Sequence, residues 1–397
     1  MRVGAGHLTY CTNIHAGETW EAIRANLGQH VPAVKQRVCP DAPFGLGLRL
    51  SAVAAQALAA PAVMDEFLAF LRTNDLYVFT LNGFPYGPFH GTRVKEDVYL
   101  PDWRDPARLA YSNQLADLLA TLLAAGGLDH GSISTVPGAF KPNAESPADR
   151  AAIADLLIRH AAHLVGIERR TGRRIALALE PEPCCMVETI AETVDFFRAH
   201  LHSDAAAERL GALTRLARSD AQSALRRHLA VCVDLCHAAV EFEDAGDCFS
   251  ALAAAGIDVA KIQVTAGLGI PQVDADAVHR LARMADGVYL HQVVERGVDG
   301  LTRYRDIDQA VAAARWQDSP CEWRVHFHVP VYLDALDACV STQPFVREVL
   351  AAHRRAALAT QLEVETYTWS VLPEAARAVP IDEAIARELQ WTLRALQ

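Results

Sequence analysis

The chain has 397 residues, 51% of them hydrophobic, and a formal net charge of −11. That size suits one large α/β barrel with insertions, while the acidic balance argues against a protein working mainly on nucleic-acid phosphates. No apolar run reaches the ~18 residues of a membrane span, and MRVGAGHLTYCTNIH has no basic segment followed by a long apolar stretch, so a soluble, cytoplasmic protein is expected. The nine cysteines are scattered without a C-x-x-C pair, which indicates neither a disulfide framework nor a thiolate zinc site.

Short apolar runs alternate with Ala/Leu-rich stretches of helical period. In chain order the predicted strands are HLTYCTN (7–13), FGLGLRLS (44–51), LYVFTLNG (76–83), GSISTVPG (131–138), IALALEP (175–181), LAVCVDLC (229–236), VAKIQVTAG (259–267) and QLEVETYTW (361–369). Helices are predicted between them. In 106–127, for example, Leu115, Leu118, Leu119, Leu122 and Leu123 form one apolar stripe, stopped at Gly126-Gly127. Eight strands with intervening helices predict an α/β protein with a single (β/α)8 TIM-barrel domain over 1–397. Residues 270–335 break the alternation with two further β-like runs, GVYLHQVVER and EWRVHFHVPVY. They read as an insertion between strands 7 and 8 that covers the mouth. A rival register makes VHFHVP the seventh barrel strand.

Strand period two sorts each run into two faces. One parity is apolar, as helix-covered strands require. The other is small or polar: Asn13 on strand 1, Arg49 on strand 2, Thr80 and Asn82 on strand 3 (opposite Phe79 and Leu81), Glu180 on strand 5, Asp234 on strand 6, Lys261 and Gln263 on strand 7, Glu363 and Glu365 on strand 8. Barrel sites sit at the C-terminal ends of the strands, so Glu180, Asp234 and Glu365 are expected to converge there, with Glu363 one layer deeper. Three buried carboxylates do not all stay ionised without a cation. Either a divalent metal (Mn2+, Zn2+, Co2+ or Mg2+) or ion pairs with Arg49, Lys261 or Arg324 would supply it. In the inserted run Arg324, His326 and His328 share a face toward the mouth, and His326-x-His328 is a spacing that brings two imidazoles to one ion. Glu182, after Pro181, reads as a loop residue. Asn13, His15 and Trp20 after strand 1, and Asn82, Phe84 and His90 after strand 3, lie on the loops where such a barrel binds a ligand. Lys261 is assigned to the substrate with them.

The strand-5 Glu, the strand-6 Asp with His237 three residues on, and the strand-8 Glu resemble the xylose-isomerase-like superfamily. Its isomerases, epimerases and endonuclease-IV-type enzymes also carry a strand-7 His. Here that fourth ligand is Gln263 by strand count, or His326 or His328 by spacing from Glu365. LTYCTNIHAGETW, TLNGFPYGPFHG, VKEDVYLPDW, VHFHVPVY and LEVETYTW together are similar to the EboE family of metabolite-traffic proteins, along essentially the whole chain. That resemblance implies a xylose-isomerase-like barrel and a prenyltransferase-like membrane partner.

The expected function is a metal-dependent isomerase or epimerase of a small sugar- or polyol-like metabolite, working by enediolate proton transfer. Glu180 and Glu365 would move the proton, and His237 would bind metal or a substrate oxygen. The alternative is a catalytically quiet metabolite-binding protein on the same barrel. A metal phosphoesterase of the endonuclease IV kind is the third reading; it needs more histidines, and the −11 charge disfavours DNA.

Overall fold

The computed structural model describes residues 1–90, 93–285, 287–337 and 339–397. Gly91, which ends the TLNGFPYGPFHG run, and residue 286, within the 270–335 segment, lie outside the described residues. Seven parallel strands come first: β1 (Gly6–Tyr10), β2 (Phe44–Arg49), β3 (Leu76–Asn82), β4 (His130–Thr135), β5 (Arg174–Leu179), β6 (Leu229–Asp234) and β7 (Val259–Val264). The eighth, β14 (Gln361–Val364), lies between β7 and β1. The ring closes where Cys11, just past β1, bridges in parallel to Gly47 of β2. All eight strands fall within the runs read from the sequence or a residue beyond them, and the chain is a (β/α)8 barrel.

Local chemistry sets the helix ends. Pro147–Thr171 opens with a Ser146–Asp149 capping box and Pro at its first position, and it stops at Gly172, whose φ of 71° is left-handed. Pro61 opens a new helix, Pro61–Thr73, just after Ala52–Leu58 ends. No single helix among the described residues is long and apolar enough to cross a membrane.

The insertion forms its own antiparallel sheet, from β8 (Ala266–Ile270), β9 (Val293–Gly297), β10 (Gly300–Tyr304), β11 (Glu322–Val329), β12 (Ala335–Leu336) and β13 (Cys339–Ser341). Its order is β10-β9-β11-β8-β13-β12. VHFHVP therefore belongs to this sheet and not to the barrel. The sheet reaches from residue 266 to 341, wider than the expected 270–335, because the glycine-rich AGLGI run pairs as β8 directly after β7. Between Val325 and Val329 the pairing of β11 with β8 slips, at the residues His326-Phe327-His328. Such bulges re-aim side chains beside sites.

Strict alternation also fails in β3. Its register against β2 slips at Phe79. Phe79 then stacks on His7 at 4.9 Å, inside the floor of the barrel, instead of facing the helices as parity predicted. Thr80 still points inward and shares a 2.9 Å hydrogen bond with Ser132. Gly47 makes the closing seam possible. A Cβ there would sit 1.5 Å from Glu363 Oε1 and 3.0 Å from the Tyr10 carbonyl. Gly47→Ala is expected to lower the urea midpoint, by about 1–3 kcal/mol of overpacking.

Candidate metal centre at the barrel mouth

Three carboxylates arrive from three strand ends. Glu180 follows β5, Asp234 ends β6 and Glu365 follows β14, and each offers an oxygen within 4.8 Å of the others. All three are buried. Asp234 has a divided role. Its Oδ1 caps the short helix Leu235–Val240, accepting from the backbone N–H of Cys236 at 2.7 Å and of His237 at 3.1 Å. Its Oδ2 has no hydrogen-bond partner among the described residues, and neither has Glu180 Oε2. Glu365 Oε1 accepts from the side-chain amides of Asn13 at 2.7 Å and Asn82 at 2.9 Å.

The three cations that ion pairing would need are engaged elsewhere. Arg49 holds Glu18 at 2.8 Å, Lys261 pairs with Glu363, and Arg324 binds Glu322 at 3.1 Å and the Ala239 carbonyl at 2.6 Å. Burial, and then the neighbouring Glu365 carboxyl, push Glu180 and Asp234 well above the usual carboxylate range. Burial and Glu363 raise Glu365 to about 7. Two orphaned buried carboxylate oxygens, with no lysine or arginine paired to them among the described residues, are the donor set a divalent metal fits.

Three imidazoles flank the acids. His237 rises from the first turn after Asp234, and His326 and His328 come from the slipped stretch of β11. His237 Nε2 lies 3.1 Å from His326 Nε2, which lies 3.1 Å from His328 Nε2. Burial holds His237 down to about 3 and lowers His326 and His328 well below the ordinary value.

The cavity in front of these groups has a volume of about 60 Å3 and is walled in part by Asn13, Asn82, Phe84, Glu180, Glu182, His237, His326, His328 and Glu365. Phe89, Tyr289 and Tyr367 also line it, with ring centroids 5.2 to 5.4 Å apart, one each from the loop after β3, the insertion and the loop after β14.

Several expected residues lie off this wall. His15 stacks on His30 at 4.2 Å, Trp20 meets Phe67 edge-on at 5.0 Å, and His90 sits 3.9 Å from Glu18. Lys261 is a floor residue, fully buried against Glu363 one layer below. Gln263 is buried on β7, opposite Asp234 and Glu363 in register, and both its amide atoms lack a partner among the described residues. Glu182, read as a loop residue, is instead buried on the cavity wall. Tyr99 Oη donates to its Oε1 at 2.7 Å, Gln292 Nε2 lies at 3.2 Å, and burial raises it to about 7. Its parity with Glu180 was the available signal, as was that of Tyr367 with Glu363 and Glu365. Gln292 and Tyr289 carried none.

The raised carboxyls set a pH dependence. In the metal-free fold they keep protons that the unfolded chain releases above its ordinary carboxylate values, so stability falls as pH rises from about 4 through the folded values. A metal displaces those protons, so it binds better as pH rises. Thermal stabilisation by added Mn2+ is expected to be larger at about pH 8 than at about pH 5.5, read by scanning fluorimetry; an equal shift at both would contradict the arrangement.

Fold and mouth together define a (β/α)8 barrel carrying an acid and imidazole cluster at the C-terminal ends of its strands. No family model and no curated protein sequence matches the chain. Among solved structures it is similar to the probable 3-DHS dehydratase AsbF of petrobactin synthesis from Bacillus anthracis (12% identity over 97% of each chain, TM-score 0.46). It is also similar to the IolI protein with a bound zinc atom (12% identity, 98% of each chain, TM-score 0.45), and to a xylose isomerase domain protein from Planctomyces limnophilus (15% identity, 98% of this chain and 96% of that one, TM-score 0.45).

Proposed function

We propose that the chain is a metal-dependent isomerase or epimerase of a small hydroxy-carbonyl metabolite, sugar- or polyol-like. The observation that carries this reading is the convergence of Glu180, Asp234 and Glu365 within 4.8 Å, with Glu180 Oε2 and Asp234 Oδ2 unpartnered. These three would hold the cation, whose charge, when bound, offsets the carboxylates and favours an enediolate oxygen.

Glu180 is placed as the base. It faces the cavity and its Oε2 is free of protein partners. Glu365 is placed as the acid. Two amides fix its Oε1 on the cavity wall, which orients the carboxyl toward a bound molecule. The two come from β5 and β14, strands separated in the barrel by β6 and β7. Glu180 takes a proton from the carbon beside a carbonyl, and Glu365 delivers its own proton to the opposite face or the neighbouring carbon; exchange with solvent restores both residues.

The test is solvent deuterium incorporation into a panel of ketoses and hydroxyaldehydes, with Mn2+ or Co2+ supplied. Exchange in the wild type, reduced about 100-fold or more in Glu180→Gln, supports the reading. Tight metabolite binding with no exchange anywhere on the panel overturns it. The second reading, a metabolite-binding protein of the EboE kind that serves a prenyltransferase-like membrane partner from the cytoplasm, would then stand. Gln263, a neutral amide at the strand-7 position where the resemblance expects a histidine ligand, favours that one.

A further inference from the structure

We propose that the mouth holds a second divalent-cation site, built on the imidazoles of His237, His326 and His328 and completed by Asp234. Each Nδ1 faces an oxygen that only accepts: the Pro181 carbonyl at 2.9 Å, Gln292 Oε1 at 2.7 Å and the Glu365 backbone carbonyl at 3.1 Å. The Gln292 amide has one orientation that satisfies its surroundings, because its Nε2 faces the Pro183 carbonyl at 3.1 Å and Glu182 Oε1 at 3.2 Å. Each Nδ1 therefore carries the ring hydrogen. In a neutral imidazole the Nε2 then bears a lone pair.

Three such lone pairs converge, 3.1 Å from His237 to His326 and 3.1 Å from His326 to His328, with no hydrogen between them to share. Tyr367 Oη, 3.4 Å from His326 Nε2, has one hydrogen to offer to one of the three. A cation satisfies all of them at once. Tetrahedral zinc, with Zn–N near 2.0–2.1 Å, spaces its ligand atoms about 3.3 Å apart, close to the 3.1 Å that separates His326 Nε2 from each of the other two. Asp234 Oδ2, unpartnered, lies 3.9 Å from His328 Nε2 and 4.0 Å from His237 Nε2. Carbonyl partners on the far ring nitrogens are the usual outer support of ligating histidines. Asp234 also belongs to the carboxylate trio, so it would be shared by two sites of different chemistry. Three nitrogens suit Zn2+, Co2+ or Cu2+, whereas three carboxylates suit Mn2+ or Mg2+.

This inference does not rest on the proton-transfer reading and stands if the chain turns nothing over. Its test is Co2+ titration of the metal-free full chain, followed by visible absorption, with Mn2+ binding followed separately by electron paramagnetic resonance. Wild type is expected to show an intense tetrahedral Co2+ band and to retain Mn2+ binding. His328→Gln and His326→Ala are expected to lose the band and keep Mn2+; Glu180→Gln is expected to lose Mn2+ and keep the band. Gln292→Leu, which removes the acceptor of His326 Nδ1 together with the amide's contacts to Pro183 and Glu182, is expected to weaken Co2+ about 10–100-fold. Circular dichroism establishes that each variant is folded, and His328→Gln serves if His326→Ala is not. Absence of the band in folded wild type, or equal loss of both ions in the histidine and Glu180 variants, would overturn the second site.

Discussion

Asp234→Asn is expected to abolish stabilisation of the chain by divalent metal while leaving the metal-free fold at least as stable as wild type. The asparagine keeps an oxygen to cap the helix Leu235–Val240, so the two N–H bonds now made by Oδ1 survive. What disappears is the carboxyl oxygen Oδ2, which no donor among the described residues satisfies. Removing it relieves the crowding with Glu180 and Glu365 and takes away a metal ligand. With free metal at 100 times its dissociation constant, binding stabilises a fold by about 2.7 kcal/mol, and the variant should forfeit that amount. Thermal melts with and without Mn2+ or Zn2+ read it directly. A variant that melts far below wild type without metal would show that Asp234 is a structural residue first.

Lys261→Met is expected to cost more than any other single change in the barrel, about 3–5 kcal/mol. Lys261 and Glu363 face each other with no solvent exposure on either side chain. Lys261 reaches little else, with Ser134 Oγ at 3.4 Å. Removing the lysine strands Glu363 as an uncompensated buried charge. It also deprives Glu365 of the positive charge that lowers it, so the acid above should be pushed higher still. The double variant Lys261→Met, Glu363→Gln should recover most of the loss, since replacing a whole buried pair is often neutral. Urea unfolding of the three variants checks this. If the double variant is as unstable as the single one, packing and not charge governs the floor.

Much of the barrel is written locally. Strand period sorted the inward residues of six of the seven strands it was applied to and placed Glu180, Asp234 and Glu365 together, because alternation is a property of each segment alone. It failed at Phe79, where the slip against β2 is set by the partner strand and by the glycines of β2. The histidines of β11 were visible as an H-x-H run, yet their meeting with His237 depends on an antiparallel sheet whose first strand is a glycine-rich stretch with no strand signature. His15, Trp20 and His90 illustrate the opposite error. Residue types suited to a site sit on the right loops, but their rings turn to His30, Phe67 and Glu18. Loop direction is a tertiary matter. The walls added by Tyr289 and Gln292 were illegible for the same reason.

The measurement that bears most directly on the mouth is the metal content of the purified protein by elemental analysis, with Glu180→Gln and Asp234→Asn alongside. A near-stoichiometric or higher divalent metal content in wild type, reduced in Glu180→Gln and most depleted in Asp234→Asn, is the predicted result. Wild type that holds no metal after incubation with Mn2+, Co2+ and Zn2+ would contradict the account and leave a carboxylate- and imidazole-lined binding pocket in its place.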